Sequence, residues 1–117
     1  MNLLTLSNLE HGAGRALLDA TVAMGFSREV AREGLNAELH AWTRPGALET
    51  VLKELPQDLD PARRPEAVLV IGARTLPASM MRATLMARLL GAKVLLKPAS
   101  GQAALAHALA SADPEVR

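Results

Sequence analysis

The chain has 117 residues, half of them apolar, with 13 Lys and Arg against 12 Asp and Glu. That length suits one domain burying roughly two thirds of its unfolded surface, and the near balance of charge, with Trp42 and Phe26 the only aromatics, offers neither the electrostatic footprint nor the stacking platforms of a nucleic-acid binder. With no cysteine, disulfides, thiolate metal sites and cysteine nucleophiles are excluded together.

From Met1, the stretch MNLLTLSNLEHGAGR places an acid and a histidine where a secretory leader needs a basic region and a long apolar run. No stretch of about 18 uncharged apolar residues follows. The expectation is a soluble cytoplasmic protein without a membrane partner. His11-Gly-Ala-Gly-Arg15 contains a GxG, but no strand precedes it and no third glycine follows at dinucleotide-loop spacing.

Between Glu10 and Leu55 the apolar spacing is helical. Leu17, Leu18 and Val22 form one run, which Gly25 ends. Ser27 reads as an N-cap with Glu29 in the first turn, followed by Val30, Leu35 and Leu39. A third helix follows Thr43-Arg-Pro45, with Pro45 near its first turn and Leu48, Val51, Leu52 and Leu55 at i, i+3, i+4 and i+7. Pro56 stops it. The segment PQDLDPARRP, with three prolines and a run of charges, reads as a surface linker.

The pattern then changes. Ala67-Val-Leu-Val-Ile-Gly72 is a continuous β-branched run, suited to a strand covered on both faces. Pro77 to Leu90 carries Met80, Met81, Leu85, Met86, Leu89 and Leu90 at helical length, with Gly91 as C-cap. Lys93 to Leu96 is a second strand and Gln102 to Ala110 an Ala/Leu helix. A strand, helix, strand, helix order makes the two strands parallel. The fold class is therefore α/β: a helical N-terminal region over residues 1–56, a linker over 57–65, and a Rossmann-like βαβα unit with an incomplete sheet over 66–117.

In such units ligands sit beyond the carboxyl ends of the strands. Those ends are Gly72-Ala73-Arg74-Thr75-Leu76-Pro77 and Lys97-Pro98-Ala99-Ser100-Gly101. Both loops are rich in small residues and lead into helix N-termini that favour anions. Arg74 and Lys97 at this rim suit a phosphate, although a lysine after a buried strand is more often a solvated end residue than a ligand group. His11, His40 and His107 are scattered, with no i, i+4 pair or carboxylate partner to mark a metal site. Arg82 and Arg88 on the crossover helix can pack their stems and send their heads to water.

An apolar strand, a loop ending in Leu76-Pro77, a small-residue helix ending at Gly91 and a strand closing in Lys97-Pro98-Ala99-Ser100 together resemble the nucleotide-binding part of the aldehyde dehydrogenase superfamily. The helical first half and Ala83-Thr-Leu-Met-Ala-Arg-Leu-Leu-Gly91 look closest to its acyl-CoA reductase branch, the bioluminescence fatty-acid reductases. The resemblance covers residues 66 to 112. It implies that Lys97 contacts the adenosine ribose or its 2′-phosphate, and that Ala73 to Pro77 line the pyrophosphate and nicotinamide side. Ser100 stands where NAD-preferring members have a glutamate, which shifts the expected cofactor toward NADP. Thr75 replaces the family's Asn. The superfamily's thiohemiacetal chemistry needs a cysteine in a second domain, so the expectation is an N-terminal portion of a reductase, inactive alone. The alternative is a non-catalytic module that joins a second copy or another chain through its helical half and open sheet edges.

Overall fold

The computed structural model describes residues 1–54, 60–74 and 77–117. Among the described residues, six helices and two strands follow in chain order: α1 (Leu3–Ser7), α2 (Gly12–Ala23), α3 (Arg28–Thr43), α4 (Ala47–Glu54), β1 (Ala67–Ile71), α5 (Pro77–Leu89), β2 (Lys93–Lys97) and α6 (Ala103–Ala112). A short 3-10 turn spans Pro61–Arg63 within the expected linker. The expected helix stop at Leu55 and Pro56 lies outside the described residues.

Local chemistry accounts for most boundaries. Ser27 Oγ accepts the Val30 N–H at 3.2 Å and starts α3 with Glu29 in its first turn, a side-chain cap on an otherwise orphaned amide. Asn2 does the same for Thr5 at the start of α1, a helix of five residues too short for periodicity to announce. Gly91, at φ +82°, lies in the left-handed region that an L side chain resists. Its N–H donates to the Arg88 carbonyl at 2.9 Å, closing the crossover helix as expected. Pro45 precedes Gly46 in the turn before α4 rather than entering the helix. The Gly14 of the GxG stretch lies in the first turn of α2, where a Cβ would run into the backbone carbonyls of Leu6 and Asn8. Close helix packing explains that glycine.

The two strands are parallel and adjacent, with Ala67 opposite Lys93, Leu69 opposite Leu95 and Ile71 opposite Lys97. They share one core with the helical half: Leu17 and Leu18 of α2, Leu39 of α3, Met81 of α5, Val94 of β2 and Leu105 and Leu109 of α6 all belong to a single buried cluster.

Two expectations are corrected. The strands are covered on one face only: Val70 and Val94 are buried, whereas Leu69, Ile71 and Leu95 are 59%, 72% and 49% exposed. Side chains alternate across a strand, and the helices pack against the Val70 and Val94 side. Nor are both sheet edges open. Val116 forms a parallel bridge to Val94, with the Val94 N–H donating to Glu115 at 2.8 Å and the Arg117 N–H donating to Val94 at 2.9 Å. The last residues thus satisfy the outer edge of β2. Along the outer edge of β1 no backbone hydrogen bond occurs among the described residues.

Asp113 holds this end of the chain. Its carboxylate meets the Met1 ammonium at 2.6 Å and Arg88 Nε at 2.8 Å, and accepts the Glu115 N–H at 2.9 Å. The Arg88 head, expected in water, instead also donates to the Ala92 carbonyl at 2.7 Å. Burial pushes the Asp113 carboxyl up, but the terminal ammonium, Arg88 and the Glu115 amide outweigh it and hold the group down at about 2.

Candidate functional site

The carboxyl ends of β1 and β2 are tied side by side. Ile71 and Lys97 are in register, and the Gly72 N–H donates to the Lys97 carbonyl at 2.8 Å. This lateral bond carries the loops after the two strands past each other. Between them and the α2–α3 turn lies a cavity of about 460 Å³, walled by Met24 and Phe26 on the helical side and by Arg74, Ser100, Gly101 and Gln102 on the strand side. Its volume falls within the range of small-molecule pockets.

Arg74 is the single charged residue of that lining, is exposed, and has no ion-pair partner among the described residues. An unpaired guanidinium beside a neutral hydroxyl, without a carboxylate, suits an anionic ligand group, each charge-assisted hydrogen bond contributing roughly 1.5 to 3 kcal/mol. Gln102 caps α6 without a side-chain capping bond and spends its own N–H on Ala99 at 3.0 Å, so the first turn of a ten-residue helix opens beside the cavity with its positive end uncompensated by an acid.

The residues singled out from sequence are distributed unequally. Arg74 and Ser100 line the cavity. Ala73 is exposed beside Arg74, while Pro98 and Ala99 are half-buried in the loop before Ser100 without reaching the lining. Lys97 is exposed and alternates with Leu96, which places it on the open face of the sheet with Leu95 and Lys93. Pro77 is buried and borders a second cavity, between α3 and α5. Thr75 and Leu76 lie outside the described residues.

Sequence reasoning missed the helical wall. Phe26 precedes the Ser27 cap, where an apolar residue commonly staples the helix start, and that ordinary role leaves no sign of a cavity. Its being one of two aromatics in the chain is the only signal that could have drawn attention to it.

Glu38 and Arg82, on α3 and α5, form the other conspicuous polar contact. Arg82 donates to Glu38 at 2.7 Å through its terminal nitrogen, and the Trp42 indole donates to the same carboxylate at 2.8 Å. The Arg82 hydrogen bond, against partial burial and with help from Trp42, holds the Glu38 carboxyl below its ordinary value. Among the described residues no cluster of His, Asp or Glu is arranged to hold a metal ion, and no helix is long and apolar enough to cross a membrane. No protein-family model, curated protein or solved structure matches the chain.

Proposed function

We propose that this chain is the nucleotide-binding portion of an NADP-dependent acyl-CoA or aldehyde oxidoreductase whose cysteine-bearing catalytic portion lies outside these residues. The observation that supports the reading is the cavity at the carboxyl ends of two parallel strands, with Arg74 and Ser100 in its lining. That is where α/β sheets hold nucleotides. In this reading Arg74 receives a phosphate, and Ser100 hydrogen-bonds the ribose without the repulsion a carboxylate would impose on a 2′-phosphate. Lys97, which ends β2 on the open face and outside the cavity lining, serves the 2′-phosphate in this reading only if its long side chain turns over the strand end, which the Lys97→Ala variant tests. When bound, the dinucleotide would supply hydride chemistry; this chain contributes binding and orientation, since it contains no cysteine nucleophile.

The test is titration of NADP and NAD into the folded wild type and into Lys97→Ala, Arg74→Ala and Ser100→Glu variants, with circular dichroism confirming the fold. NADP should bind more tightly than NAD. Lys97→Ala should cost about ten- to a hundredfold in NADP affinity, and Ser100→Glu should weaken NADP while sparing NAD. Equal affinities in all proteins would return Lys97 to the role of a solvated strand end. Failure of the folded wild type to bind either dinucleotide would end the nucleotide reading.

One observation favours a second reading, an interaction module that joins a second copy. Leu69, Ile71 and Leu95 form an exposed apolar patch beside an edge of β1 that is unpaired among the described residues, of the kind that soluble chains cover with a partner.

A further inference from the structure

We propose that the open face of the sheet is the docking site for α4 of a second copy of this chain, which joins molecules head to tail. The proposal deepens the reading of the chain as a module that joins a second copy, and rests on it.

Parallel sheets are covered by helices on both faces. Here the helices pack on the Val70 and Val94 side, with Leu35 and Leu39 of α3 in the same buried cluster. The other face is bare among the described residues. Leu69, Ile71 and Leu95 are exposed there, with Lys93 and Lys97 at the two ends of β2 on the same side. A second sheet laid on this face would bring the lysine pairs of both copies together. The surface that docks is therefore a different one, apolar at its centre and acidic at its borders.

α4 is such a surface. Among the described residues it is the one helix of eight residues or more that buries no side chain. Leu48, Val51 and Leu52 stand at i, i+3 and i+4 and make one apolar stripe, in which Leu52 is 40% exposed. Winding at about 3.6 residues per turn puts Glu49 on one border of that stripe and Glu54 on the other, with Lys53 on the opposite side of the helix. Neither carboxylate has an ion-pair partner among the described residues. The dimensions agree as well. Eight residues of helix rise about 12 Å, and five residues of strand about 16 Å.

The stripe does not serve its own sheet. α4 rests against α3, on the covered side, while the bare face looks the other way. A donor surface and an acceptor surface on different sides of one molecule join copies in rings or open chains instead of pairing them about a two-fold axis.

Sedimentation equilibrium of the full chain tests this, with circular dichroism to confirm the fold of every variant. Wild type should assemble beyond the dimer as its concentration rises through the micromolar range. Leu95→Glu removes the acceptor face and Leu52→Glu the donor stripe. Each variant alone should be monomeric over that range, a loss of about tenfold or more in affinity for one leucine side chain no longer buried. An equimolar mixture of the two should form a capped one-to-one dimer, since the intact α4 of one meets the intact sheet of the other. Glu49→Lys combined with Glu54→Lys leaves the apolar residues of α4 in place and should weaken assembly several-fold; adding Lys93→Glu and Lys97→Glu should restore it. A monomeric wild type would overturn the inference together with the reading beneath it. Assembly abolished by Leu95→Glu but unchanged by Leu52→Glu and by the paired lysine substitutions would keep that reading and remove α4 as the occupant. A mixture that stays monomeric would also remove α4, and a wild type that stops at the dimer would overturn the head-to-tail arrangement.

Discussion

Replacing Asp113 by Asn tests how the two ends of the chain are held. The substitution keeps the size and one acceptor oxygen but removes the charge that meets the Met1 ammonium at 2.6 Å and Arg88 at 2.8 Å. The Asp113 carboxyl is lowered from 3.8 to about 2, and at about 1.4 kcal/mol per unit the folded state favours the charged form by about 2 kcal/mol. Arg88, 20% exposed, keeps its Ala92 contact and at most a neutral acceptor at position 113, and a partly buried cation without its counter-charge adds to the loss. The expected destabilisation is about 2 to 4 kcal/mol, a fall in melting temperature of roughly 10 °C for a domain of this size. Urea unfolding at a series of pH values separates this from a packing defect. Because the folded value lies below the unfolded one, the carboxylate's contribution is complete above about pH 4 to 5 and is lost as the pH falls through about 2. The wild-type advantage should shrink across that window, since a protonated Asp113 carboxyl and the amide that replaces it in the variant are nearly equivalent. Equal urea midpoints at pH 7, or a difference that persists unchanged down to pH 2, would refute the reasoning.

Gly14→Ala should destabilise the chain by about 1 to 3 kcal/mol by forcing α1 off α2, whereas Gly34→Ala, inside α3 where a Cβ would meet nothing within 4 Å, stabilises it; thermal melts that rank the two the other way would contradict the packing described. Leu95→Glu, on the open sheet face at 49% exposure, should change stability by less than about 1 kcal/mol and abolish concentration-dependent self-association in sedimentation. A wild type that stays monomeric across micromolar concentrations would remove the reason to expect association.

Local signals carry well from sequence to structure where the controlling residues are neighbours in the chain. The Ser27 cap, the Gly91 stop and the alternation of strand and helix after Ala67 all read correctly, because each depends on a few adjacent residues. The continuous run Val68 to Ile71 suggests burial on both sides, yet such a run is equally compatible with one covered face, and only the placement of the helices decides. Val116, a lone apolar residue between Glu115 and Arg117, gives no periodicity at all. Its burial at 2% exposure comes from the turn that Asp113 fixes. At the candidate site, Arg74 and Ser100 are legible because strand ends define the ligand side of a parallel sheet. Phe26 is not, since it reaches the cavity through the packing of α2 and α3 against a sheet more than forty residues away in sequence.

The two strands differ in how they are guarded. KVLLK carries a lysine at each end on the open face, and its outer edge is closed by residues 115 to 117. Flanking charges of this kind repel a second sheet and interrupt stacking. AVLVI has neither safeguard: its five residues contain no charge and no proline, Leu69 and Ile71 stand exposed, and its outer backbone groups are unpaired among the described residues. Short, uncharged, β-branched segments with a free edge are the templates on which cross-β stacking begins. Among the described residues β1 is thus the segment open to edge-on stacking, and Leu69→Lys should raise soluble yield at high concentration by placing a charge on it.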